Sequence, residues 1–134
     1  MTLGARAIVF DEAQNAVLLV RHTYVPGWQL PGGGVEAGET VEDALRREVL
    51  EEGNIELLGR PELRSLHFNK AATSRDHVAL YLVKNFRRIG EHVPDREIAE
   101  ARFFPLEALP PEITSATRRR LAEVFEGAEV AAEW

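Results

Sequence analysis

Glu48, Glu51 and Glu52 place three carboxylates at i, i+3 and i+4 along a predicted helix. Like charges at that spacing repel and destabilise an isolated helix by about a few tenths of a kcal/mol per pair. Arg46 and Arg47 lie beside them, but two neighbouring cations do not require three acids in this array. A hard divalent cation does want several oxygen ligands converging on one point, so the stripe reads as a metal site. Three glutamates on a helix are more commonly a solvated face, and what precedes them argues against that here. Residues 28–39 run WQLPGGGVEAGE, a strand-like start that breaks at Pro31 into three glycines able to reach φ > 0 and to let a ligand approach the backbone. Thr40 then starts a helix predicted over 40–52. Its hydroxyl can cap open N–H groups, Asp43 stands at the reciprocal capping position, and Glu42 with Asp43 complements the positive end of the helix dipole.

Taken together, residues 33–55 resemble the Nudix box. Gly33, Glu39, Arg47, Glu48, Val49, Glu51, Glu52 and Ile55 occupy its constrained positions. One position departs: Asn54 stands where the pattern has its last glycine, with Gly53 just before it. Asn tolerates the left-handed conformation usual past a helix end, so the turn is expected to survive. The resemblance extends loosely from the first strand to Leu109 and implies an α/β (α+β) fold with a mixed β-sheet between helices. It also implies a hydrolase that depends on Mg²⁺ (or Mn²⁺), with Glu48, Glu51, Glu52 and the Gly32 carbonyl as metal ligands. In this scheme Arg47 holds the catalytic glutamates, Gly33 and Glu39 brace the loop, and Glu97 or Glu100, near Asp95, supplies a further acid or base. The expected reaction is cleavage of the pyrophosphate bond in a nucleoside diphosphate linked to another moiety, such as an ADP-ribose-like substrate. Two alternatives stand beside it: pyrophosphohydrolysis of a nucleoside triphosphate, and a non-catalytic module that senses nucleotides. The second would be expected to have lost one or more of the acids, and none is lost.

Outside the box, Arg6, Arg21 and His22 are candidates to meet phosphates, and Tyr24, Trp28 and Phe68 to stack on a base; these aromatics, like Phe103 and Phe104, are equally core candidates. With so few cations near the box, the chain favours a linked diphosphate over a triphosphate. His67, His77 and His92 have no ligand spacing to one another. Arg118, Arg119 and Arg120 read as a helix face. The net charge of −6 opposes nucleic-acid and anionic-membrane partners, leaving a small nucleotide as the expected substrate of a monomer or homodimer. A chain of 134 residues without cysteine, signal-peptide pattern or long apolar run reads as one domain, with the cytoplasm as the expected compartment.

Several elements must hold these groups. Ala5–Phe10 and Ala16–Arg21 read as a hairpin around the turn-rich residues 11–15. Val41, Ala44, Leu45 and Val49 give the first helix an apolar stripe offset from its acidic one. Leu63–Asn69 and His77–Val83 form a second hairpin across residues 70–76. Ile98–Phe104 is a short strand before Pro105, and Ile113, Thr117, Leu121, Val124 and Phe125 mark a second amphipathic helix after Pro110-Pro111.

Overall fold

The computed structural model describes residues 1–134. In chain order its strands are β1 (Thr2–Asp11), β2 (Ala16–His22), β3 (Trp28–Gln29), β4 (Gly32–Gly34), β5 (Ile55–Leu57), β6 (Glu62–Phe68), β7 (Asp76–Val83), β8 (Phe86–Arg88) and β9 (Ile98–Pro105). Its helices are α1 (Val41–Gly53) and α2 (Ser115–Phe125), with a 3₁₀ turn at Leu106–Ala108. The main sheet runs β3-β2-β1-β7-β6, with β4 added to β1 and β9 to β2; β5 and β8 pair separately. This is the mixed sheet between helices that was expected.

The expected first hairpin is reduced to a neck. β1 and β2 pair antiparallel only at Phe10↔Val17 and Asp11↔Ala16. Beyond it β1 runs parallel to β7 from Thr2↔Asp76 to Val9↔Val83, while β2 turns to β9. Burial explains the divergence. Ala5, Ala7, Ile8 and Val9 are all fully buried, so β1 has apolar neighbours on both faces and must sit centrally. One core, against α1, joins Ala5, Ala7, Val9 and Leu18 to Leu45, Val49, Ala79 and Tyr81. The other, against α2, joins Ile8, Val17, Leu19 and Trp28 to Leu30, Leu80, Phe104 and Leu121. Each fully buried aliphatic side chain contributes roughly 1.5–3 kcal/mol. The β6–β7 hairpin forms as expected, with a register shift between Leu63 and Ser65.

The three glycines of the loop are themselves a strand. Gly32, Gly33 and Gly34 pair antiparallel with Arg6, Ala5 and Gly4. At Gly32, where φ is +148°, a Cβ would lie 2.0 Å from the Ala5 carbonyl oxygen. Only glycine lets this segment close on β1, a feature hidden from strand propensity, which scores glycine as a breaker.

α1 begins as predicted. The Thr40 hydroxyl accepts from the Asp43 N–H at 3.0 Å and the Asp43 carboxylate from the Thr40 N–H at 3.1 Å. It ends at Asn54 in the left-handed region (φ 53°, ψ 40°). Asn54 also does what glycine could not, donating from Nδ2 to the Glu91 carbonyl at 2.7 Å. Gly53 answers to the core instead: a Cβ there would meet Leu18 at 2.7 Å.

α2 corrects one expectation. Arg120 is not on a solvated helix face but fully buried, forked onto Glu123 at 2.8 and 2.9 Å. Its place in the stripe Ile113, Thr117, Arg120, Val124 was readable from 3.6-residue periodicity. No helix is long and apolar enough to cross a membrane.

Candidate active site

α1, β4 and the loop before β9 bring the acids together around the end of β1. Glu52, the last acid of the helix, turns inward and is buried at 6% exposure. Its Oε1 accepts from the Gly32 N–H at 3.0 Å. One hydrogen bond does not replace lost water. Burial, opposed by that bond and by Arg6 and aided by Glu48 and Glu97, pushes the Glu52 carboxyl from 4.5 to about 7.

Glu48 lies against Gly33, where a Cβ would come within 2.6 Å of its carboxylate. That glycine therefore keeps room for a carboxylate. Arg47 organises the remainder. Its fork binds Glu39 at 2.8 and 2.9 Å, and the same guanidinium donates to Glu48 at 2.8 Å and to the Gly34 carbonyl at 3.2 Å. Glu51 is 3.8 Å from it and largely exposed. Glu39 also accepts from the Glu36 N–H at 2.9 Å, which closes the loop between β4 and α1. These bonds hold the Glu39 carboxyl at about 2.

The three carboxylates do not converge on one point, and no three acidic or histidine side chains form a ready-made metal cluster. Each has a different partner: Glu48 leans on Arg47, Glu52 on a backbone N–H, and Glu51 on solvent.

A cavity of about 470 Å³ opens beside Glu51 and Glu52 and is lined further by Asp95, Arg96, Glu97 and Ile98. Glu97 thus shares a wall with the helix acids. Glu100 does not line it; on β9 it is engaged by Arg21 at 3.4 Å and Arg102 at 3.7 Å. A second cavity, about 580 Å³, lies on the other side of the glycine strand between Arg6, Gly33, Gly34 and Glu36 and the far wall of Asn69, Ala72 and Asp76.

Arg6 gains importance over its place in the sequence reading. It is half-buried, donates to the Leu30 carbonyl at 2.7 Å, and faces Glu52 and Glu48. Only its alternation along β1 could have signalled this. His22 has its Nδ1 buried without a partner, and burial, with Arg6, lowers its pKa. Tyr24 beside it is well exposed, with ring centroids 5.6 Å apart.

The other two aromatics are not at the cavity edges as expected. Trp28 is buried edge-on against Phe104 at 4.8 Å and capped by Arg21 and Arg102, so it presents no face for stacking. Phe68 packs on His77 and lines a separate pocket with Trp134. Trp28 is an apolar residue that the core against α2 claimed, whereas Phe68 stays partly exposed at the other pocket.

Known proteins agree with this architecture. The NUDIX domain family model matches residues 1–125. An NAD-capped RNA hydrolase, NudC, of Pseudomonas aeruginosa is 35% identical over 117 residues, covering 81% of this chain and 38% of that protein. An ADP-ribose pyrophosphatase of Methanocaldococcus jannaschii is 35% identical over 105 residues, covering 74% of this chain and 60% of that protein. The chain thus spans less than two thirds of either relative's own length. The crystal structure of a MutT NUDIX hydrolase from Burkholderia pseudomallei superposes with a TM-score of 0.76 at 32% identity, over 92% of this chain and 97% of that one. With a glycine strand, an arginine-braced acidic helix and a sheet that all match one family over nearly the whole length, the chain belongs to the Nudix hydrolase family.

Proposed function

We propose that the chain hydrolyses the pyrophosphate bond of a nucleoside diphosphate linked to a second moiety. The observation that carries this reading is Glu52, a buried carboxylate with one hydrogen bond, facing Glu48 and Glu97 beside an open cavity. Negative charge held this poorly compensated calls for a cation. Glu48, Glu51, Glu52 and the Gly32 carbonyl offer only hard oxygen donors, which fit Mg²⁺ or Mn²⁺. Bound there, such an ion would neutralise phosphate charge and acidify an attacking water.

The chain's own residues supply the remainder. Arg47 fixes Glu48 and, through Glu39, the turn of the glycine strand. Arg6, the half-buried cation under Glu52 and Glu48, is placed to meet a phosphate oxygen at the inner end of the larger cavity. Glu97 or Glu48 takes the proton from water, both being carboxylates within the acidic group.

The preference for a linked diphosphate rests on charge. Among side chains the larger cavity has one cation, Arg6, against two carboxylates, Glu36 and Asp76, so its lining suits a neutral sugar or base better than a further phosphate. Relatives named for ADP-ribose and for NAD-capped RNA accord with that reading, and one named for 8-oxo-dGTP accords with the triphosphate alternative. The test is release of phosphate and monophosphate from a nucleotide panel, with and without Mg²⁺, run in ¹⁸O water to locate the point of attack. A kcat/KM for any triphosphate ten times that for every diphosphate ester would reverse the preference. Tight nucleotide binding with no release from any member would make the chain a sensor.

A further inference from the structure

The segment after α2, residues 127–134, folds back across the outer edge of β6. The Phe68 N–H donates to the Ala132 carbonyl at 2.8 Å and the Trp134 N–H to the Phe68 carbonyl at 2.8 Å, a parallel bridge at the last residue of that strand. Two residues further on, Lys70 Nζ meets Glu133 at 3.2 Å. The loop that starts there is the far wall of the larger cavity. Asn69 donates from its backbone to the Asp76 carbonyl at 2.9 Å and from its side chain to the Asp76 carboxylate at 3.1 Å.

Behind the segment lies the buried charge of α2. Arg120 donates to the carbonyls of Glu133 at 3.2 Å and Trp134 at 2.7 Å while forked onto Glu123. Glu123 also accepts from the Ala131 N–H at 2.9 Å, and Arg119 reaches the Trp134 carbonyl at 2.6 Å. The Trp134 ring lies over Arg120 at 5.0 Å and edge-on to the buried His67 at 5.5 Å. Every carbonyl and carboxylate named here has a donor. A buried ion pair adds little net stability over an apolar substitute, and here it holds a segment bonded to Phe68 and Lys70, the two neighbours of the wall residue Asn69.

We propose that residues 127–134 are a strap that positions the Asn69–Asp76 wall of the substrate cavity, with Lys70 and Glu133 as its positioning residues. The inference rests on the preceding reading for the cavity's role in substrate binding, though not for the strap's mechanical one. Neither residue touches the acids, so the strap governs capture of substrate and leaves the chemical step alone.

The experiment uses Lys70→Glu, Glu133→Lys and the double exchange in the full chain, with steady-state kinetics on the best substrate of the panel and amide hydrogen exchange at Phe68, Asn69 and Ala72. Each single variant is expected to raise KM about two- to fivefold, the scale of an exposed ion pair, with kcat unchanged. Exchange at those three amides should accelerate. The double exchange should restore both. Unchanged KM and exchange in the single variants, equal loss in kcat, or no rescue by the double would overturn the strap. Should the wild type hydrolyse nothing, exchange and its rescue still decide the matter.

Discussion

Two buried glutamates in this chain meet opposite fates. Glu123 on α2 has its carboxylate forked by Arg120 and receives a backbone N–H as well. Glu52 on α1 has a single N–H from Gly32, with Arg6 nearby and two other acids pressing on it. The two positions share burial and residue type, and they differ in compensation. A fully compensated carboxylate defines architecture, while an under-compensated one is a place for an incoming cation or proton, which is why strained charge and chemistry coincide.

Exchanging each for glutamine breaks the comparison most sharply. Glu52→Gln should lower kcat by about 10² to 10⁴, the range for losing a catalytic metal ligand or base, and Glu51→Gln likewise. Glu123→Gln should leave kcat within about threefold, because nothing joins it to the acids. Its effect is on stability: leaving Arg120 buried and unpaired costs about 3–5 kcal/mol, read as a shift in denaturant midpoint. Equal effects on turnover would erase the distinction.

The pH dependence sharpens it. A carboxyl raised from 4.5 to about 7 retains its proton in the folded state after the unfolded chain has lost it. Glu52 therefore stabilises the fold below pH 4.5 relative to pH 8, and that stability declines as pH rises between 4.5 and 7, by on the order of 3 kcal/mol. In chelator, Glu52→Gln should remove this decline and be more stable than wild type at pH 8. A wild-type profile that rises through the window from the Glu52 contribution, isolated as the difference from the variant, would contradict the burial argument.

Cation addition tests the same deficit. At about 100 Kd, Mg²⁺ or Mn²⁺ should stabilise the wild type by roughly 2.7 kcal/mol and the Glu48, Glu51, Glu52 triple Gln variant far less. Equal shifts in Tm would exclude these residues as the site. The smallest effect is expected at Asn54→Gly, where relief of the left-handed backbone is set against loss of the bond to Glu91, for a net change within about 1 kcal/mol.

Much of this was legible from residues alone because it depends on spacing along one helix. Thr40 and Asp43, the apolar stripe of α1 and the departure at Asn54 are local, and local rules describe them. Trp28 and Phe68 were not, since an aromatic before a turn is equally suited to a ligand and to a core. Their fate was decided by Phe104 and His77, distant in sequence. The glycine strand was hidden for a related reason: its partner is β1, and what admits Gly32 there is the absence of a side chain. Arg120 lay open to periodicity, and charge obscured it.

The parallel pairing of β1 with β7 bears on how the molecule comes into being. Thr2 meets Asp76, so the central ladder cannot close until more than half the chain is available. Closing so long a loop is entropically unfavourable before its contacts repay it, which places folding on the slow side for a domain of this size. Until then β1 has the short neck with β2, the glycine strand β4 and the apolar stripe of α1, while the edge that β7 covers stays open. A nascent chain halted before residue 76 would expose one open edge of an apolar strand, so synthesis rate and chaperone access bear on yield.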